Sequence, residues 1–191
     1  MWVFTYKFDS NGNLVKYKAR LVVRGDLQKD SRFQDNYAAT LAARIFRALM
    51  AIAAYFNLEM RQYDAVNAFT NSGIDEDVFI RFPEGFGRLG MCLKLLQALY
   101  GLRRSPLLWF KEFSTKLQAL GMKQSPECQC LFFNSKLILF FYMDDIVILY
   151  HRKDTEEHEQ FRAKLLDAYE IQEMGELQWF LGIRIIRDRG A

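Results

Sequence analysis

The 191-residue chain is 51% hydrophobic and 15% aromatic, which excludes a disordered chain and suffices for one sizeable core, or one domain with a smaller lobe. Its net charge of +3 permits a nucleic-acid partner without demanding one, so polymer binding requires a local basic patch. Cys92, Cys128 and Cys130 with His151 and His158 make neither a disulfide framework nor a zinc set; a reduced, intracellular setting is expected, with no membrane span or secretory signal in the sequence.

Trp2–Phe8 and Leu14–Arg24 are β-rich runs separated by a polar gap, Asp9 to Asn13, whose Asn-Gly step predicts a hairpin. Lys16, Lys18, Arg20 and Arg24 share one parity and therefore one face of the second strand. Such a row is either an ordinary solvated face or a surface for phosphates. Gly25–Ala39 is polar and irregular. Leu41, Ile45, Leu49, Ile52 and Phe56 then recur at helical spacing, so Leu41–Phe56 predicts a packed amphipathic helix with Arg44 and Arg47 on its other side. Leu58–Ala65 reads as a strand ending at Asp64, where an aspartate is commonplace. Asn71–Asp77 is an acidic loop, and Val78–Phe82 and Cys92–Leu95 are short strands.

Ser105 and Pro106 predict the cap and first position of a helix whose stripe is Leu107, Phe110, Phe113, Leu117 and Leu120, stopped by Gly121. Leu131–Asn134 is a short strand. Next, two apolar runs, Leu137–Phe141 and Ile146–Tyr150, flank Tyr142-Met143-Asp144-Asp145. Runs this short and apolar read as buried strands joined by a tight turn. Asp144-Asp145 is then either a hairpin tip or a carboxylate pair for a divalent cation, and spacing alone leaves both open. Asp154 is a candidate cap for a helix with Phe161, Leu165 and Tyr169 on one face; His158 lies among its acids and reads as a surface residue. Gln178–Ile186 closes the chain as a strand.

Tyr-Met-Asp-Asp between two hydrophobic strands resembles the catalytic hairpin of reverse transcriptases, and the chain around it resembles the copia-type retrotransposon branch of that family. The resemblance also rests on Tyr17–Gly25, on Asp64-Ala65-Val66-Asn67-Ala68-Phe69, on Leu99–Pro106 and on Trp179–Ile183, in order along nearly the whole chain. Arg103-Arg104 stands where the family usually has Lys-Gln, which keeps positive charge. The fold implied is α+β: a fingers lobe (roughly 1–56 and 71–97) and a palm lobe (roughly 57–70 and 98–191) in a single domain. The palm is expected to be an antiparallel sheet with helices packed on one face, and no thumb follows. The resemblance makes Asp64, Asp144 and Asp145 the catalytic, metal-binding carboxylates. It assigns Lys18, Arg20, Ala65, Ala68, Phe69, Tyr100 and Gly101 to the nucleotide, with Phe69 under the sugar. Arg24, Tyr142, Met143, Trp179, Leu181 and Gly182 are implied to meet primer or template.

The function implied is an RNA-directed DNA polymerase domain that adds deoxynucleoside triphosphates to a primer 3′-hydroxyl using two Mg²⁺ ions, with Mn²⁺ as a substitute. Its partners are an RNA or DNA template with a DNA primer and the rest of a Pol polyprotein, with no membrane. An intact element places it in the cytoplasm, in a virus-like particle. Because Met1-Trp2 enters the family pattern partway through the first fingers strand, a truncated piece is expected. The alternative is therefore a catalytically silent remnant that folds and at most binds nucleic acid weakly. A two-metal nuclease of unrelated fold is disfavoured, because no candidate base accompanies the acids.

Overall fold

The computed structural model describes residues 1–9, 11–28, 38–88 and 90–189, and in it the N-terminal runs pair as expected, β1 (Trp2–Phe8) antiparallel to β2 (Leu14–Leu21). Asp9 organises the turn, its Oδ1 accepting from the backbone N–H of both Asn11 and Asn13, while Gly12 takes a positive φ of 83°. The second strand ends at Leu21, short of the expected Arg24. Its continuation leaves the ladder to bond elsewhere: the Val23 N–H donates to the Tyr100 carbonyl at 2.8 Å. Here two backbones cross at glycine. A Cβ on Gly25 would lie 2.0 Å from the Gly101 oxygen, and one on Gly101 would lie 2.0 Å from the Val23 oxygen. Of the segment expected to be irregular, Gly25–Ala39, residues 29–37 lie outside those described, and Gly25–Leu27 forms one 3-10 turn.

Compact packing divides the chain into two units, Met1–Tyr37 with Phe69–Trp109 and Ala38–Ala68 with Phe110–Ala191. The first contains the hairpin and a minimal ladder of β4 (Phe79–Ile80) and β5 (Leu93–Lys94). The second is built on a six-stranded antiparallel sheet. The expected lobes differ from these units in where 38–56, 69–70 and 98–109 fall. The helix within 38–56, α1 (Ala43–Tyr55), joins the second unit because Phe46, Leu49 and Ala53 pack on that sheet, whereas Ile52 and Phe56 of the expected stripe are exposed.

The sheet collects β3 (Glu59–Ala65), β6 (Lys123–Gln124), β7 (Leu131–Phe133), β8 (Leu137–Tyr142), β9 (Asp145–Tyr150) and β10 (Ile171–Glu176), in the spatial order β10-β3-β9-β8-β7-β6. Two further helices are α2 (Ser105–Ala119) and α3 (Thr155–Ala168). Adjacent residues of a strand point to opposite faces, so Phe140 and Phe141 report on the two sides. Phe140 meets Phe46 of α1 at 6.0 Å, with Met60, Val147 and Leu149 in the same cluster. Phe141 meets Phe113 of α2 at 5.0 Å, edge to face. Helices therefore cover both faces of the sheet, correcting the expected one-sided packing. The reason is in β8 and β9, which are apolar at nearly every position and need cover on both sides.

Local expectations were corrected in four places. Ser105 opens α2 with its hydroxyl donating to the Leu99 carbonyl, where a cap was expected. Asp154 makes no cap bond; it is buried and accepts from Lys136 Nζ at 2.6 Å. His158, expected at the surface, is only 2% exposed. The expected strand Gln178–Ile186 is a small hairpin, β11 (Trp179–Phe180) and β12 (Ile183–Arg184), turned by Leu181 and Gly182 at φ 50° and 76°. Positive φ at both central residues is the turn geometry that follows strand twist. Among the described residues, no helix is long and apolar enough to cross a membrane.

Candidate active site

Strand register, which no local pattern encodes, makes neighbours of the segments that carry the three aspartates. In the pairing of β3 with β9, Asp64 sits opposite Asp145. In the β8–β9 hairpin Tyr142 sits opposite Asp145, leaving Met143 and Asp144 as a two-residue turn. Directly opposed residues share a face, with Cβ atoms about 5 Å apart, so Asp64 and Asp145 present their carboxylates on one side of the sheet. Met143 has a φ of 55°, a conformation that costs a side-chain-bearing residue about 1 kcal/mol or more. What holds the turn is partly β3 itself, whose Ala65 N–H donates to the Asp144 carbonyl at 2.9 Å.

The electrostatics of this cluster are unfavourable as it stands. Burial pushes the Asp145 carboxyl above its ordinary value of 3.8, and Asp144 and Asp64 push it further. Gln62 opposes the shift, its Nε2 donating to Asp145 Oδ1 at 3.4 Å. Among the described residues no three His, Cys, Asp or Glu side chains are gathered so as to hold a metal ion. The donor chemistry nonetheless fits a hard divalent cation, with carboxylate oxygens as donors and a crowded negative charge for the cation to relieve.

Other expected site residues of the second unit occupy three places. Ala65 ends β3 in the interior, and Ala68 is buried at the start of a 3-10 turn. Tyr142 is half-buried against the α1-side core, while Met143 stands exposed at the hairpin tip. Trp179, Leu181 and Gly182 belong to the β11–β12 hairpin, with the Trp179 and Leu181 side chains exposed.

In the first unit, the structure draws together four of the residues expected at the nucleotide. The Arg20 guanidinium lies over the Tyr100 ring, 5.7 Å from its centroid. That ring meets Phe69 at 4.7 Å, and Gly101 crosses behind it against Val23. Lys18 lies two residues before Arg20 on the same strand face. Register adds a cation missed in the sequence: Lys7 pairs with Lys16, extending the basic face across both strands. Only knowledge of the pairing could have found it. Arg24 is a correction. It lies past the end of β2, off the expected face, and grips Asp26 through Nε and Nη2 at 2.8 and 2.6 Å.

A family model described as reverse transcriptase (RNA-dependent DNA polymerase) matches residues 1–191. The chain belongs to the reverse transcriptase family. It is 32% identical over 197 residues to the retrovirus-related Pol polyprotein from transposon TNT 1-94 of Nicotiana tabacum, covering 98% of this chain and 15% of that polyprotein. It is 30% identical over 194 residues to the Pol polyprotein from transposon RE1 of Arabidopsis thaliana, covering 97% of this chain and 13% of the relative. A third relative, the transposon Ty1-GR3 Gag-Pol polyprotein of Saccharomyces cerevisiae, is 29% identical over 202 residues, or 100% of this chain and 11% of the polyprotein. The reverse transcriptase chain thus spans a small fraction of the polyproteins it matches, and the expected copia-type kinship holds.

Proposed function

We propose that this chain carries the nucleotidyl-transfer site of a retrotransposon RNA-directed DNA polymerase, with its fingers in the hairpin unit and its palm in the six-stranded unit. The observation that carries the reading is Asp64 paired opposite Asp145 beside the strained Met143-Asp144 turn. Strain of this kind persists where surrounding structure enforces it, and it concentrates at functional sites. Asp64 and Asp144 are the residues to hold two Mg²⁺ ions, with Mn²⁺ as a substitute, while Asp145 ligates less directly or shapes the turn. When bound, the metals lower the pKa of the primer 3′-hydroxyl and neutralise charge on the departing pyrophosphate.

The chain's own residues bind and orient. Lys18 and Arg20 pair with the triphosphate, whose backbone contacts come from Ala65 and Ala68. Phe69 sits beneath the sugar, where its ring excludes a ribose 2′-hydroxyl; Tyr100 supports that ring from the side, and the Gly101 backbone meets the nucleotide or template beside it. Tyr142 and Met143 border the primer terminus, and Trp179, Leu181 and Gly182 hold the primer strand behind it. Arg24 reaches a template phosphate by exchanging its exposed carboxylate partner Asp26. The substrates are an RNA or DNA template, a DNA primer and deoxynucleoside triphosphates.

The test is Mg²⁺-dependent extension of a DNA primer on an RNA template, beside an Asp144→Asn control. Incorporation that disappears in the control is the expected result. A silent family member that folds and at most binds nucleic acid weakly is the second reading. No incorporation by the folded protein would decide for that reading.

A further inference from the structure

On the face of the sheet away from the carboxylates, α3 inserts one buried polar group among aromatic rings. His158 Nε2 and the Tyr63 hydroxyl lie 2.7 Å apart, and the imidazole stacks on Tyr150 at 4.1 Å with an interplanar angle of 7°. Tyr63 immediately precedes Asp64 on β3, and Tyr150 ends β9, which begins at Asp145. A single imidazole therefore touches both strands that carry the carboxylate pair, and it does so from the opposite face.

We propose that His158 is a positioning residue for the Asp64–Asp145 pair, a neutral clasp whose protonation loosens the register of β3 and β9. The inference rests on the polymerase reading only for its consequence in catalysis. The geometry assigns the tautomer. Nδ1 faces the Glu159 carboxylate at 3.3 Å, outside hydrogen-bonding alignment, so the ring proton belongs on Nδ1 and Nε2 accepts from Tyr63. A second proton, taken from solvent, would occupy Nε2 and turn it into a donor. The Tyr63 O–H would then have to turn away from Nε2, and the cationic ring would sit buried against Tyr63 and Tyr150, which destabilises the arrangement.

Solvent can deliver that proton. His158 borders a cavity of about 420 Å³ lined also by Arg61, Tyr63, Glu159, Arg162 and Glu173. The charged groups facing the ring are Arg61 from β3, Glu173 from β10, and Glu159 and Arg162 from α3 itself; Tyr150 faces it from β9. Burial lowers the imidazole below its ordinary 6.5, Arg61 and Arg162 lower it further, and Glu159 opposes them. At neutral pH the clasp is closed.

Amide hydrogen exchange at residues 62–65 and 145–147, corrected for intrinsic rates, tests this without relying on activity. Between about pH 7.5 and about pH 5.5 the protection factors of the wild type are expected to fall about tenfold. In His158→Phe, which keeps a ring against Tyr150 but cannot titrate, they are expected to be lower throughout and independent of pH. Tyr63→Phe removes one oxygen and keeps the ring, and serves if His158→Phe does not fold. In the polymerase assay at neutral pH, both variants are expected to lower kcat about tenfold with KM for the nucleotide unchanged. Unchanged pH dependence of exchange in both variants overturns the proposal. A clasp confirmed by exchange in a protein that incorporates no nucleotide would leave it standing and remove the polymerase reading instead.

Discussion

Asp145 concentrates the chemistry of the site in one side chain. Its folded carboxyl holds a proton to higher pH than the unfolded value of 3.8. Between 3.8 and the raised value the fold binds more protons than the unfolded chain, so this group's contribution to stability falls as pH rises. In metal-free buffer Asp145→Asn is therefore expected to melt at higher temperature than the wild type near neutral pH. Melts below about pH 3.5 should bring the two together, because both forms are then uncharged. A variant less stable at neutral pH would contradict the crowding. Phe69 makes a separate prediction for selectivity. Trimming it to Val is expected to raise ribonucleotide use relative to deoxyribonucleotide by roughly tenfold or more in competitive incorporation, with little change in deoxynucleotide kcat/KM. At Gly101 a positive φ of 89° and the Val23 oxygen leave no room for a Cβ. Gly101→Ala is expected to cost about 2 kcal/mol or more in denaturant unfolding, combining backbone strain with displacement of a backbone neighbour.

Whole elements succeeded or failed in the sequence reading according to how local their causes are. The Asn-Gly turn and the twin apolar runs of β8 and β9 are written in neighbouring residues, and each appears where expected. α1 also forms in place, but it buries Phe46, Leu49 and Ala53 and leaves Ile52 and Phe56 of the expected stripe exposed, because the sheet it packs on sets which face turns inward. β10 was missed because its sequence, IQEMGE, carries neither β-branched enrichment nor alternation; it is a strand because Gln172 finds Asp64 across the edge of the sheet. The C-terminal hairpin was read as one strand because a Leu-Gly pair is a weak turn signal, and its positive φ values appear only in the fold. Capping offers a test at this scale. Ala42 occupies the cap position of α1 with extended backbone and no capping side chain. Ala42→Asp is expected to stabilise the protein by about 1 kcal/mol in urea unfolding, since a side-chain oxygen there can accept from a first-turn N–H. No gain would mean that the exposed first turn is already satisfied by solvent.

At the scale of the whole molecule, the sheet carries a helix layer on each face. Phe141 is fully buried against Phe113 on the face opposite α1, so Phe141→Ala is expected to cost about 3–5 kcal/mol in equilibrium unfolding. A loss below about 1 kcal/mol would argue against a packed second face. By itself, the sequence determined the family, the order of its motifs, the apolar hairpin with its two central acids and the third aspartate at a strand end. These are legible because each rests on residue type and short spacing. Only the tertiary structure decided that Asp64 faces Asp145, that Lys7 joins the basic face while Arg24 turns to Asp26, and that His158 is buried beneath the strands of the site. Those facts depend on which distant segments pair and in what register. A shift of one residue would send every side chain to the other face, and a single strand's alternation does not identify its partner.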